Sequence, residues 1–149
     1  MTNKVILLVE DNEDDIELTT MAFGRAKIAN PLVVARDGVE ALEYLFGDGK
    51  YAGRDPIDLP VVVLLDLKLP RLGGLEVLKR IREDARTKRV PVVVLTTSNE
   101  QQDLATAGDL HANSYVRKPV DFDNFVAAAR QIGLYWTVLN EPFNQVQFR

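Results

Sequence analysis

The run Val61-Val62-Val63-Leu64-Leu65 constrains the fold more than any other stretch of this chain. Five consecutive apolar residues, three of them β-branched, specify a strand buried on both faces. Such a strand belongs to a sheet with helices on either side. It ends on a carboxylate, Asp66, and passes into Leu67-Lys68-Leu69-Pro70 and then Gly73-Gly74. Two other apolar runs end in a comparable way. Val5-Ile6-Leu7-Leu8-Val9 leads into Glu10-Asp11, and Val92-Val93-Val94-Leu95 leads into Thr96-Thr97-Ser98. Parallel strands bring their carboxyl ends to one edge, where ligand crevices form. Three carboxylates and a group of hydroxyls are therefore expected at one place.

Strand and helix periodicities alternate along the rest of the chain. A first strand, Lys4–Val9, is followed by a helix from about Glu13 to Ile28. Asn12 caps that helix, and acidic residues crowd its first turn, where the helix dipole favours them. A strand at Leu32–Ala35 follows the Asn30-Pro31 turn. Asp37-x-x-Glu40 resembles a capping box and opens a second helix, with Ala41, Leu42, Leu45 and Phe46 on its apolar face. The loop Gly47–Leu59 is long for an α/β connection and reads as a tolerated surface insertion. After the central strand, a helix places Val77, Leu78 and Ile81 inward. A strand at Val90–Leu95 leads to a fourth helix, Glu100–Ala107, with Ser98 and Gln101 placed to cap it. Leu104 is its one large apolar residue, so it should be weakly held. A short strand at Ser114–Arg117 ends at Lys118-Pro119. Asp121 then caps a last helix with Phe125, Ala129, Ile132, Trp136 and Leu139 on one stripe. That period runs through Gly133, and Asn140 and Pro142 should stop it. The alternation predicts a single α/β domain, a parallel five-stranded sheet with helices on both faces.

Composition narrows the partners. The net charge is −4, from 18 basic and 22 acidic residues, which gives no electrostatic reason to expect nucleic acid or an anionic membrane. There is no cysteine, hence no thiolate nucleophile and no Cys-type zinc site. The N-terminus does not read as a signal peptide, and no apolar run approaches membrane-spanning length. A cytoplasmic protein is expected.

The chemistry follows from crowding Glu10, Asp11 and Asp66 into one crevice. Like charges at that spacing repel, and a hard divalent cation with oxygen ligands, such as Mg²⁺, relieves them. Lys118, at the end of the fifth strand, brings an ammonium to the same edge, and Thr96 brings a hydroxyl. Phosphoryl transfer needs mainly positioning and charge neutralisation, so the set suits a phosphoryl group arriving on Asp66 as nucleophile. Each residue alone is ordinary: acids often start helices, a strand-end threonine is common, and a lone lysine is usually on the surface. Their joint placement at successive strand ends is the signal.

Val9-Glu10-Asp11-Asn12, Leu65-Asp66-Leu67-Lys68-Leu69-Pro70, Val94-Leu95-Thr96-Thr97-Ser98 and Tyr115-Val116-Arg117-Lys118-Pro119 resemble, in order and spacing, the receiver domains of two-component response regulators. The resemblance covers residues 4 to about 133. It implies a flavodoxin-like doubly wound sheet of order 2-1-3-4-5 and a phosphorelay regulator, not an enzyme. Asp66 is implied as the phosphoacceptor, charged by a sensor histidine kinase. The metal site is implied at Glu10, acting through water, and at Asp11, Asp66 and the backbone carbonyl of Lys68. Thr96 is the implied switch hydroxyl, Tyr115 the switch aromatic and Lys118 the phosphate-pairing lysine. In the family the bond corresponding to Lys118-Pro119 is cis. The stretch from His111 to Tyr115 and the long loop before the central strand are most similar to regulators that serve phytochrome-type kinases. His111, the one histidine, reads as a turn residue and not as a phosphocarrier.

Residues 1–133 are thus expected to form the receiver. Residues 134–149 should continue the last helix into an apolar tail too short to be a DNA-binding module. The output is expected to be a contact with a downstream protein, made by the fourth helix, fifth strand and last helix. Tyr135, Trp136, Val138 and Phe143 would leave an apolar patch suited to a homodimer, with a tail folded back on its own domain as the alternative. A phosphatase of the haloacid-dehalogenase kind is disfavoured because Lys68 stands where a second acid is required. A dinucleotide-binding domain is excluded by Glu10-Asp11-Asn12-Glu13-Asp14-Asp15, which would repel a pyrophosphate where glycines are needed.

Overall fold

The computed structural model describes residues 5–96, 101–118 and 121–132. Strands β1 (Ile6–Val9), β2 (Leu32–Ala35), β3 (Val62–Asp66), β4 (Val92–Thr96) and β5 (Ser114–Arg117) alternate with helices α1 (Glu13–Arg25), α2 (Gly38–Phe46), α3 (Gly74–Glu83), α4 (Gln101–Asp109) and α5 (Phe122–Ile132). The sheet is parallel throughout, in the order β2-β1-β3-β4-β5, as expected.

Alternate side chains of each strand enter opposite layers. Leu7, Val9, Val63, Leu65, Val92 and Val94 pack with Ala41 and Leu45 of α2 and Val77, Leu78 and Ile81 of α3. Ile6, Leu8, Val62, Leu64, Val93 and Leu95 pack with Ile16 and Phe23 of α1 and Ala129 of α5. Fully burying one such side chain is worth about 1.5–3 kcal/mol, so the two layers lock the register. That register aligns Val9 with Leu65, Asp66 with Leu95 and Thr96 with Arg117, which brings the strand tips level.

Several boundaries differ from expectation. Helix α1 stops at Arg25, not Ile28: Lys27 turns to φ 61°, its N–H donates to Gly24 O, and the Ile28 N–H donates to Phe23 O. This is a Schellman cap with lysine at the left-handed position, sealed by Ile28 packing on the layer that contains Phe23. Strand β4 begins at Val92, not Val90, and extends to Thr96. Helix α4 runs on to Asp109 instead of ending at Ala107.

The long loop is firmly tied down, more than a tolerated insertion requires. Gly47 closes α2 at φ 68°, and Gly49–Tyr51 forms a 3₁₀ turn. The Tyr51 hydroxyl donates to Glu40 Oε2 at 3.0 Å, and the Tyr51 ring meets Tyr44 edge-on at 5.0 Å. Arg54 lies 4.1 Å over the Tyr44 ring and donates to the Tyr44 carbonyl at 2.7 Å. Residues Lys4, Thr97, Ser98, Glu100, Pro119 and everything from Gly133 onward lie outside the described residues, and with them the proposed cis bond, the Ser98 cap and the dimer candidates Tyr135, Trp136, Val138 and Phe143.

Candidate functional site at the carboxyl edge of the sheet

The three predicted acids meet at the tips of β1 and β3. Carboxylate oxygens of Glu10, Asp11 and Asp66 all lie within 4.8 Å of one another. Glu10 is buried directly after the last residue of β1: its N–H continues the ladder to the Ala35 carbonyl at 2.9 Å. Its Oε2 accepts the Asn12 N–H at 3.2 Å, and Asn12 in turn caps α1 by accepting from the Asp15 N–H at 3.0 Å. Asp11 is exposed at the mouth. Asp66 is buried at the last position of β3, and its Oδ1 accepts the Lys68 N–H at 3.2 Å.

Gly74 explains how the chain turns away after Asp66. A β-carbon there would lie 2.6 Å from the Leu67 Cα and would collide with the Asp66 carbonyl oxygen. The glycine lets α3 start directly against the strand end, with its N–H on the Leu67 carbonyl at 2.9 Å.

Lys118 enters from β5, and its backbone N–H bonds the Thr96 carbonyl at 2.6 Å. Its Nζ donates to Glu10 Oε1 at 2.6 Å, Asp15 Oδ2 at 2.9 Å and Asp66 Oδ2 at 3.3 Å. Burial works against the ammonium, but the bonds to Glu10 and Asp15 and the charge of Asp66 outweigh it and push its pKa above the ordinary value. Burial also dominates at Glu10: it pushes the carboxyl up to about 7, with the Asp66 charge adding to it and the Lys118 bond opposing. Thr96 is fully buried at the end of β4, whereas Tyr115 on β5 is 53% exposed. His111 is an exposed turn residue at φ 64°, as expected.

Asp15 is the site residue that sequence reasoning missed. In the sequence it is one acid among several in the first turn of α1; its N–H bonds the Asn12 side chain, and its own side chain reaches Lys118. Membership of the acidic run Glu13-Asp14-Asp15 was the available signal, and it does not single out Asp15.

The donor set fits a hard divalent cation. Three carboxylate oxygens converge, one acid is driven toward its neutral form by burial, and one ammonium is the cation facing Glu10 and Asp66 among the described contacts. A bound cation would favour the ionised form of Glu10 and so offset the effect of its burial.

Comparison with known proteins agrees with this geometry. Residues 6–130 match the family model of the response regulator receiver domain. The chain is 43% identical over 133 residues to the probable methanogenesis regulatory protein FilR2 of Methanothrix harundinacea, covering 89% of this chain and 83% of FilR2. It is 37% identical to the response regulator Rcp1 of Synechocystis, covering 89% and 88% of the two. The Mn²⁺-bound form of Rcp1 superposes with a TM-score of 0.79, covering 89% of this chain and 94% of that one. The phosphorylated cyanobacterial phytochrome response regulator RcpA gives 0.80 at 39% identity, covering 91% and 94%. The bacteriophytochrome response regulator RtBRR gives 0.79 at 48% identity, covering 95% and 84%. The chain belongs to the response regulator receiver family, a family of signalling regulators, and phytochrome-associated regulators are among its near relatives.

Proposed function

We propose that this chain is a phosphorelay regulator in which Asp66 accepts the phosphoryl group of a phosphohistidine on a sensor kinase. The observation that carries the reading is Asp66 Oδ2 at 3.3 Å from the Lys118 ammonium, inside the three-acid cluster. An Asp66 carboxylate oxygen attacks phosphorus, and the P–N bond to the donor imidazole breaks. The electron pair stays on the imidazole nitrogen, which takes up a proton. Lys118 holds an ammonium against the growing charge on the phosphoryl oxygens. Glu10, Asp11 and Asp66, with the Lys68 carbonyl, would hold Mg²⁺. It would supply charge neutralisation at the same place.

The acyl phosphate adds charge and acceptor oxygens beside the buried Thr96. Thr96 shifts to hydrogen-bond them, and the exposed Tyr115 turns into the space vacated. The resulting change of surface on α4, β5 and the last helix is read by a downstream protein. The names of RcpA, a phytochrome response regulator, and RtBRR, a bacteriophytochrome response regulator, support a phytochrome-type kinase as the donor. Cytoplasmic location accords with that partner; among the described residues no helix is long and apolar enough to cross a membrane. The apolar tail, with Tyr135, Trp136, Val138 and Phe143, supports a homodimer; light scattering on the full chain and on residues 1–133 tests it, and a monomeric full chain at tens of micromolar rules it out.

Acetyl phosphate with Mg²⁺, followed by intact mass, tests the function. A gain of one phosphoryl group that EDTA prevents is expected, and no gain under any metal condition overturns the reading.

A further inference from the structure

We propose that Asp15 is a positioning residue that competes with Asp66 for Lys118 and so sets how fully the lysine serves a phosphoryl group on Asp66. The proposal rests on the phosphoacceptor reading above. An ammonium has three N–H donors, and here three carboxylates take them, the longest bond going to Asp66. A phosphoryl group on Asp66 brings oxygens that accept strong charge-assisted bonds; the lysine's long bond to Asp66 passes to them, and closing on them draws the ammonium away from its other partners.

The three carboxylates are not equally able to let go. Glu10 has a 1% exposed side chain, and losing the lysine would leave a buried carboxylate facing Asp66. Asp15 has a 36% exposed side chain, so water replaces the lysine at little cost. It also lies in the first turn of α1, where the helix dipole favours its charge with or without a partner. Space exists for the change. A cavity of about 70 Å³ lies between α1 and α5, beside Asp15 and Lys118 and bounded by Leu18, Thr19, Val116 and Phe125. That is room for water or for a shifted side chain. Asp15 is therefore the releasable partner, and its pull on Lys118 opposes the phosphorylated state.

The test uses the full chain and beryllium fluoride with saturating Mg²⁺ as the phosphoryl mimic, with affinity read by calorimetry. Asp15→Asn keeps the backbone bonds of residue 15 and removes the competing charge. It should tighten beryllium fluoride binding by up to about fivefold, the span of a partly exposed ion pair. Asp15→Glu, which restores the charge, should return the affinity to within about twofold of wild type. In a Lys118→Gln background, Asp15→Asn should change nothing, because the effect runs through the lysine. Unchanged or weaker binding in Asp15→Asn overturns the proposal, as does equal tightening without Lys118. In either case the phosphoacceptor reading stands if wild type binds the mimic and gains a phosphoryl group. If wild type does neither, both fall.

Discussion

Two buried glutamates, Glu10 and Glu40, lie beyond the carboxyl ends of neighbouring strands β1 and β2 and are treated oppositely by the fold. Around Glu40 the burial that would raise its pKa is outweighed by the Arg36 N–H at 3.1 Å, Lys50 at 3.1 Å and the Tyr51 hydroxyl at 3.0 Å, so it is held below the ordinary value. Around Glu10, burial wins over its Lys118 bond, and Asp66 adds repulsion. One acid is satisfied by the chain's own donors and braces α2 against the loop. The other carries charge that the described donors leave incompletely balanced. A satisfied buried acid suits a structural role, whereas an incompletely neutralised one is a candidate for binding a cation.

The comparison can be broken by mutation. Glu40→Ala removes three hydrogen bonds to a buried carboxylate and should cost about 3 kcal/mol of unfolding free energy, measured by urea titration. Glu10→Gln should instead leave the metal-free fold intact and weaken Mg²⁺ binding about tenfold, read by calorimetry. A loss of Mg²⁺ affinity in Glu40→Ala equal to that in Glu10→Gln would erase the distinction. Tyr51→Phe removes one donor from Glu40 and should cost about 1 kcal/mol in the same urea assay.

The pH dependences should also have opposite signs. Glu40 has a folded pKa below its ordinary 4.5, so its contribution is present above that value and is lost as pH falls through the folded pKa. Glu10 has a folded pKa raised to about 7, so the metal-free fold binds its proton more tightly than the unfolded chain does. Its contribution favours folding below about pH 4.5 and is lost as pH rises through about 7. Mg²⁺ requires the ionised form, so its affinity should rise between pH 6 and 8, roughly these limits, with proton release that Glu10→Gln abolishes.

A second contrast concerns the helices. Helix α2 buries Ala41, Tyr44 and Leu45, whereas among the described side chains of α4 only Ala107 is buried. Arg82 ties the turn after α4 to the segment before β4 through the carbonyls of His111, Lys88 and Val90. Leu104→Ala should therefore cost less than about 1 kcal/mol, against about 2–5 for Leu45→Ala, and amides of α4 should exchange faster than those of α2.

Much of this was legible in the chain. Apolar runs ending on Glu10-Asp11, Asp66 and Thr96 dictated a parallel sheet and put the acids at one edge, because burial on both faces leaves little choice of register. Less visible was anything resting on a side chain's reach. Asp15 meets Lys118 across 103 positions of sequence, and no local pattern reports that contact. Glu40 reads as half of a capping box, yet it accepts the Arg36 N–H and the loop's Tyr51. Lys27 ends α1 in a conformation usually left to glycine, so nothing marked the stop.

The central claim is that the carboxylate at the tip of β3 takes the phosphoryl group. Asp66→Asn, incubated with acetyl phosphate and Mg²⁺ and weighed intact beside wild type, tests it most directly. The account predicts one hydroxylamine-sensitive phosphoryl group on wild type and none on the variant; an equally labelled variant would contradict it.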